Sequence, residues 1–507
     1  MTALITELER KYEADGCVAE PALNVVDQLP GLNVDPTVLR DRLWAVYYDT
    51  QDLALINVGI LLCRRAEGTD SGWYLTLPGR GTRTELRLPT DPPDGVLPAK
   101  LGSLVAVATR HAPLTPVART DTDRVSRYCT DMTGSRVVEI IVDRVVAADL
   151  RPAGRTRRWT EVEVGVEDGT RPADLLDRIE VGLSTLGLHH LNSADQLART
   201  LGLTQCGHSS VTPSTDSTAG EVVMSYVTTQ VAAVKRGDIG VRLEQPGAVH
   251  HARTAVRRLR STLKVFRSVL EATKTASLAE NLAWLDTQLS AGPDTEAQRT
   301  RFARGTSRQL TEPAADLLAD YFDGQENAAV AGVAAALDSE RYGNLLTALD
   351  DLVATPPLTT FANRPADEVL PRLVRHAFTI VQEALAAIGD DHSAAERNTA
   401  VHEAQWAAQR AWYAAELIEP LRPEPVQRCA AAAARLQDLI GEYQNSVTAR
   451  ETLTMLADEA DAVGTSAFGY GRLYQHEVAQ ANRIADSLPH QWQQAERLAE
   501  PLFRHRY

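Results

Sequence analysis

The sequence predicts a multidomain protein of two fold classes. An N-terminal α+β domain is built on an antiparallel eight-stranded sheet closed into a tunnel, and a C-terminal all-α helical bundle carries an internal two-fold repeat. Three observations predict this. Residues 1 to about 203 read as short runs of period-two alternation broken by turns such as Pro78-Gly79 and Pro92-Pro93-Asp94-Gly95. Beyond a Ser/Thr/Gly/Pro-rich stretch the chain changes to long, alanine-rich amphipathic segments. Within those, Val249-His250-His251-Ala252 resumes as Val401-His402-Glu403-Ala404, with His402 standing 152 residues after His250.

Composition bounds the class. The 507 residues are 44% hydrophobic and 23% charged, as in ordinary water-soluble domains, and are enough for two or more of them. No run reaches the eighteen or so apolar residues of a membrane span, and the charged opening MTALITELERKYEADG does not read as a signal peptide. The expected compartment is the cytoplasm. Cys17, Cys63, Cys129, Cys206 and Cys429 are scattered and never paired as C-x-x-C, which argues for reduced thiols and against structural zinc. A net charge of -15 disfavours nucleic-acid binding by the surface as a whole, and no specific nucleic-acid site is expected.

In order, the candidate strands are Ile5–Glu13, Leu43–Tyr48, Gly59–Arg65, Gly72–Leu77, Arg83–Leu88, Ala118–Tyr128, Arg136–Val145 and Trp159–Val166. Helices are expected over Pro36–Asp41, Ala99–His111 and Pro172–Leu186. Successive strand side chains point to opposite faces, so Glu7, Glu9 and Lys11 share one face, as do Trp159, Glu161 and Glu163, and Arg83, Glu85 and Arg87. Charged residues gathered on one face of several strands mark either the solvated outside of the sheet or, where the sheet closes, a polar interior and hence a binding tunnel.

These residues resemble the CYTH superfamily of triphosphate tunnel proteins, which includes adenylyl cyclases, thiamine triphosphatases and inorganic triphosphatases. The resemblance is carried by Glu7-x-Glu9-x-Lys11, Tyr47-Tyr48-Asp49-Thr50 with Leu53, Arg64-Arg65, Gly72-Trp73 to Leu77-Pro78, Arg83-x-Glu85 and Glu161-x-Glu163, in order across the domain. It implies a Mg²⁺ or Mn²⁺ ion held by Glu7, Glu9, Glu161 and Glu163. It also implies a triphosphate gripped by Lys11, Arg64, Arg65, Arg83 and Arg87, with Lys11 and Arg65 acting on the reacting phosphate. Oxygen ligands suit Mg²⁺, and phosphoryl transfer is mainly positioning and charge neutralisation.

The chain also departs from that pattern. Cys63 and Thr76 replace an expected arginine and lysine, and Gln196 stands for a lysine near the end of the domain. The strand expected to offer cations reads Arg119-Thr120-Asp121-Thr122-Asp123-Arg124, which places Asp121 and Asp123 on the expected inner face. That face then holds eight acids, Asp143 among them, against four bases, and a polyanion is disfavoured there. A strand set one residue off would present Arg124 and Arg127 instead.

Gln205–Gly220 reads as a flexible linker. The domains are therefore 1–203, a linker at 204–220, and 221–507 with repeats of about 221–355 and 366–507. Helices are expected over Glu221–Arg236, Gly247–Leu270, Ser277–Leu289, Thr295–Leu318, Ala328–Leu337, Glu340–Thr355, Ala366–Ile388, Ala394–Ile418, Glu424–Glu459 and Gly469–Leu498. In the second of these, Val249, Ala252, Val256, Leu259, Leu263, Phe266 and Leu270 form a buried stripe. His250, Arg253, Arg257, Arg260 and Lys264 run one position behind it, joined by Arg258 and Arg267, with no carboxylate before Glu271. About 100° separates neighbouring positions, so the basic row borders the buried row.

This helix resembles the opening helix of the CHAD domain, the conserved-histidine α-helical domain, in its His-x-x-Arg followed by Arg-Arg-Leu-Arg. The resemblance implies inorganic polyphosphate, or another short polyanion, bound by His250, Arg253, Arg257, Arg258, Arg260 and Lys264. In the second repeat Arg253, Arg257, Arg260 and Lys264 become Gln405, Gln409, Trp412 and Glu416, while His402 and Arg410 remain. A further paired motif reads Leu436 to Gly441 and ends at Asn445, against Leu289 to Asp294 with Pro293 expected to end its helix. The reading is a polyphosphate-binding protein with weak or absent triphosphatase activity. The alternatives are an active metal-dependent triphosphatase and a non-catalytic scaffold for a protein partner.

Overall fold

All eight expected strands form, with two short ones added. The structure, a computed structural model, describes residues 3–14, 19–28, 32–65, 71–77, 83–88, 96–166, 172–190, 196–203, 213–303, 310–388 and 393–503. The side chains of 3–9, 19, 28, 83–84, 172–174, 190 and 394 lie outside the described set. The chain divides into two compact units, Met1–Ser209 and Ser210–Tyr507.

In the first unit the strands are β1 (Ala3–Ala14), β2 (Asn33–Val34), β3 (Leu39–Asp49), β4 (Leu61–Arg65), β5 (Gly72–Leu77), β6 (Arg83–Leu88), β7 (Thr115–Thr130), β8 (Arg136–Asp149), β9 (Thr156–Val166) and β10 (His189–His190). Pairing runs β1-β6-β5-β4-β3-β7-β8-β9 and returns to β1, every pair antiparallel. Closure rests on β1, whose residues Ala3–Glu7 pair with β6 while Leu8–Ala14 pair with β9. A closed sheet exposes no long edge.

Among the described residues five α-helices accompany the barrel: α1 (Ala19–Ala22), α2 (Ala54–Asn57), α3 (Ala99–Thr109), α4 (Pro172–Thr185) and α5 (Gln196–Leu201). Leu176, Ile179 and Leu183 of α4 bury the outer face of β7, β8 and β9 through Val125, Ile140, Val142, Val162 and Val164. Apolar residues spent on that outer face leave polar ones to line the interior. Asp49, in the Tyr47-Tyr48-Asp49-Thr50 stretch, is fully buried because its carboxylate accepts from the N–H groups of Thr50, Leu55 and Ile56 at 2.7, 2.9 and 3.0 Å. It thereby serves the open donors at the start of α2. The helix expected over Pro36–Asp41 is absent: β3 begins at Leu39, because pairing with β7 takes up the backbone from there.

The second unit is all helix: α6 (Ala219–Arg242), α7 (Ala248–Val265), α8 (Ala272–Gln288), α9 (Ala291–Ala303), α10 (Glu312–Leu337), α11 (Glu340–Ala354), α12 (Ala366–Ala386), α13 (Ala394–Leu417), α14 (Pro423–Ala462) and α15 (Phe468–Ala499). The hairpins α6–α7 and α12–α13 are the two copies of the repeat, and α7 packs on α13. The segment expected as one helix over Thr295–Leu318 belongs to two, α9 and α10. Pro293 does not end a helix. The preceding helix α8 has stopped at Gln288, and Pro293 sits in the first turn of α9, where its missing N–H has no intrahelical role. Of the expected linker, 204–212 lie outside the described residues. Its end is held: Thr218 and Glu221 form a capping box on α6, and the Ala366 N–H donates to the Ser217 carbonyl.

The α6–α7 contact depends on small residues. A Cβ at Gly237 would lie 2.6 Å from Ala252 Cβ and 2.9 Å from its Cα. We expect Gly237→Ala to destabilise by about 1–3 kcal/mol, although alanine is the better helix former, because overpacking forces the helices apart. Helical circular dichroism followed through a urea titration checks this, and a more stable variant would contradict it.

Candidate functional site

Two clusters bring the chemistry-bearing residues together. In the barrel, register assigns faces without ambiguity. Lys11 opposes Glu163, Asp143 opposes Glu161 and Arg124 opposes Asp143, so these five share the inner face. Arg65, Tyr74, Glu85 and Arg87 continue it on β4, β5 and β6. Thr120, Thr122, Arg124 and Ser126 are the inward residues of β7, and the two threonines and the serine are buried.

Asp121 and Asp123 therefore point outward, correcting the sequence expectation. Asp121 takes the Arg119 guanidinium on the outer surface, at 3.0 Å, and Asp123 is exposed. The reason is register: the strand sits one residue from the expected setting, so Arg124 faces in. Arg127 does not; it reaches Asp27 on the outside at 3.1 Å. Arg64 is likewise corrected, since Arg65 faces the cavity and alternation sends its neighbour to the outer face beside Val46 and Trp73. Glu7, Glu9 and Arg83 lie in β1 and β6, with Glu7 paired to Arg83, but their side chains fall outside the described residues.

Inside the rim, the strand-borne charges include Glu85, Glu139, Asp143, Glu161 and Glu163 against Lys11, Arg65, Arg87 and Arg124, and Arg199 of α5 reaches in to 3.7 Å from Glu161. They are largely matched: Lys11 Nζ lies 3.0 Å from Glu163, Arg65 lies 3.2 Å from Glu85, and Arg124 binds Asp143 through two bonds of 2.9 and 2.7 Å. Burial works against the Arg124 charge, but Asp143 outweighs it and holds the group firmly protonated. Glu139 is pushed up by burial, and nearby Glu163 adds to the shift.

One end of the barrel is filled. Leu197, Ala198 and Leu201 of α5 pack on the inner-face residues Tyr47, Cys63 and Tyr74. Gln196, at the start of α5, bridges Tyr47 and Glu161: its oxygen accepts from the Tyr47 hydroxyl at 3.3 Å and its amide donates to Glu161 at 2.8 Å. The other Glu161 oxygen accepts from Trp159 Nε1 at 2.8 Å. Glu161 is fully buried with both oxygens so engaged, and Glu163 faces Lys11. With both oxygens hydrogen-bonded and the Arg199 guanidinium 3.7 Å from one of them, Glu161 is already engaged and does not fit the role of a divalent-ion ligand. Among the described residues no group of three His, Cys, Asp or Glu is arranged to hold a metal.

In the helical unit, α7 presents its basic row along the seam with α8 and α13. Arg257 Nε donates to Asp286 at 2.9 Å, Arg260 bonds the other oxygen of the same carboxylate, and Arg253 Nε stands 3.7 Å away. Arg253 also forks onto Asp294 at 2.8 and 3.3 Å. Arg258 pairs with Glu416 of α13 at 2.8 Å. Trp406 of α13 forms a shelf, its ring 5.4 Å from the Arg257 and 4.9 Å from the Arg260 guanidinium carbon. Its indole N–H donates to His402 Nε2 at 2.9 Å.

Lys264 and Arg267 are exposed, and like Arg410 they have no carboxylate partner among the described residues. Burial and then Arg260 depress the Arg410 pKa. The His250 pKa is depressed by burial, then by His251, Arg253 and Arg257. Sequence reasoning did not single out Asp286. Its signal was a carboxylate one residue from Leu285 and four from Leu282, on the apolar stripe of α8.

The helical unit carries the match that decides the family: residues 225–454 fit the model of the CHAD domain. Two uncharacterized Mycobacterium tuberculosis proteins are 30% identical over 501 residues, spanning 95% of this chain and 94% of theirs. The chain belongs to the family of these two proteins, and its helical unit carries a CHAD domain. Solved structures similar to it include PptA from Streptomyces chartreusis, with 19% identity, a TM-score of 0.47, and 55% of this chain and 100% of that one covered. The CHAD domain of the plant Ricinus communis gives 22% identity, a TM-score of 0.46, and coverages of 56% and 94%. A Hippeastrum adenylyl cyclase candidate, described as having dominant triphosphatase activity, gives 12% identity, a TM-score of 0.23, and coverages of 39% and 97%.

Within this CHAD unit the two repeats differ pair by pair. The repeat offset sets Arg253 and Arg257 against Gln405 and Gln409, and aligning Asp294 with Asn445 sets Asp286 against Gln437. The two arginine–aspartate pairs of the first repeat thus stand where the second repeat has neutral amide side chains. Gln409 Oε1 and Gln437 Nε2 are buried without a partner among the described residues. The positive site is one-sided. Among the described residues no helix is long and apolar enough to cross a membrane.

Proposed function

We propose that the protein binds inorganic polyphosphate, or a polyanion of similar charge density, through α7, and that its barrel has weak or no triphosphatase activity. The observation that carries this is the surplus of cations along α7. Arg253, Arg257 and Arg260 share the single buried carboxylate of Asp286, with Arg410, Lys264 and Arg267 close in the seam or beyond it. A polyanion with a charge on every phosphate meets such a row at each turn. In the barrel, by contrast, Lys11, Arg65 and Arg124 each have a carboxylate within the same wall, so little positive surplus is left for a triphosphate. Arg124 facing inward is the observation that favours the second reading, an active triphosphatase.

The test pairs two assays on the full chain. Polyphosphate binding is expected, with affinity falling steeply as salt rises, while phosphate release from tripolyphosphate with Mg²⁺ or Mn²⁺ stays near background. Turnover that disappears in Arg124→Gln would establish the enzymatic reading instead. Salt-independent binding, or none, would count against the polyanion site.

A further inference from the structure

We infer that Asp294 is a displaceable counter-ion that sets how tightly the α7 cluster takes a polyanion, whereas Asp286 is a fixed positioning residue for the same cluster. This rests on the polyanion reading of the site and adds a specificity-determining element to it. Both aspartates pair with stripe arginines, yet their surroundings differ. The Asp286 side chain is 5% exposed, lies on the apolar face of α8, and uses both oxygens on Arg257 and Arg260. It cannot leave without burying an uncompensated charge or disrupting the helix contact.

Asp294 is 58% exposed in the first turn of α9, where it forks onto Arg253. Only the aspartate end of the pair is open, the Arg253 side chain being 14% exposed, and an anion at a water-facing position is weakly held and exchanges with other anions. Once released, an aspartate in the first turn of a helix stays stabilised by water and by the positive end of the helix. A phosphate can therefore take Arg253 from Asp294 at little cost, but must add to the guanidiniums on Asp286 rather than replace it. Displacing Asp294 costs the same for any ligand, so it disfavours singly charged anions and favours those that engage several cations together. The second repeat, with Gln405 and Asn445 at the matching positions, lacks such a pair.

The experiment measures binding of a long-chain sodium polyphosphate and of orthophosphate to the full chain as wild type, Asp294→Asn and Asp286→Asn, at low and high salt. Thermal melts confirm that each variant is folded. Asp294→Asn is expected to tighten polyphosphate binding about 3- to 10-fold at low salt, with the gain shrinking at high salt, and to improve orthophosphate binding by at least the same factor. Asp286→Asn is expected to weaken polyphosphate binding, because three guanidiniums lose their common anchor. Wild-type binding with Asp294→Asn unchanged or weaker overturns the inference alone. So does Asp286→Asn tightening by the same factor as Asp294→Asn, which would mean net charge is all that counts. No binding by the wild type overturns the polyanion reading, and the inference with it.

Discussion

Replacing Arg301 with alanine is expected to cost about 3–5 kcal/mol of stability, the largest effect of any single charged side chain considered in the helical unit. Arg301, on α9, donates from Nε and Nη2 to Glu477 of α15 at 2.9 and 2.6 Å, from Nη1 to Glu442 of α14 at 2.7 Å, and from Nη2 to the Ser446 hydroxyl at 2.7 Å. One guanidinium thus ties a helix of the first repeat to two of the second. Burial works against its charge, but the two glutamates outweigh it. The Glu477 side chain is 8% exposed, so removing Arg301 strands a carboxylate where water cannot solvate it. The loss should come mostly from that stranded charge and not from the pair's own attraction. Arg301→Ala combined with Glu477→Gln should accordingly recover more than half of it. Denaturant melts of the two variants decide the matter: a single variant within 1 kcal/mol of wild type would show the network to be incidental.

The second large effect concerns binding. The double variant Arg257→Ala, Arg260→Ala is expected to lose polyphosphate affinity by at least a hundredfold at low salt. Two charge-assisted contacts of about 1.5–3 kcal/mol each disappear, and each 1.4 kcal/mol is a factor of ten. The salt dependence should flatten as well, since fewer counter-ions are exchanged. The same substitutions leave Asp286 with Arg253 alone, at 3.7 Å, so some stability is lost with the affinity. Adding Asp286→Asn separates the two. Stability should return, because no buried charge remains unmatched, while affinity stays low, because the cations are still missing. If affinity returned with stability, the arginines would be structural ties between α7 and α8, and the polyanion would bind elsewhere.

How much of this could be read beforehand differs between the two domains. In the helical unit the basic row was placed correctly beside the buried row, because a helix converts sequence spacing directly into angle: Arg253, Arg257 and Arg260 are partly buried and Lys264 is exposed. Their partners were not visible in that spacing. Asp286 lies 29 residues from Arg257, and only the packing of α8 on α7 brings the two together. In the barrel the strands were legible from alternation, but the face of β7 was not. A period of two has two settings, and choosing the wrong one exchanges Asp121 and Asp123 for Thr122 and Arg124. The same ambiguity lay in Arg64-Arg65, of which one residue can face the cavity.

Sequence alone determined what local periodicity and composition control: the change from strands to helices near residue 204, the repeat of α7 in α13, and the amphipathic stripe with its basic border. Tertiary structure decided which charges meet. The register of β7 between β3 and β8 turned Arg124 inward, α5 filled one end of the barrel and committed Glu161 to Gln196 and Trp159, and the packing of α8 and α9 gave Arg253, Arg257 and Arg260 their aspartates. The physical reason is range. Propensity and periodicity act over a few residues and are written along the chain, whereas the energy of a charge depends on burial and on groups a few ångströms away in space. Those neighbours are set only when distant segments close the barrel and the bundle.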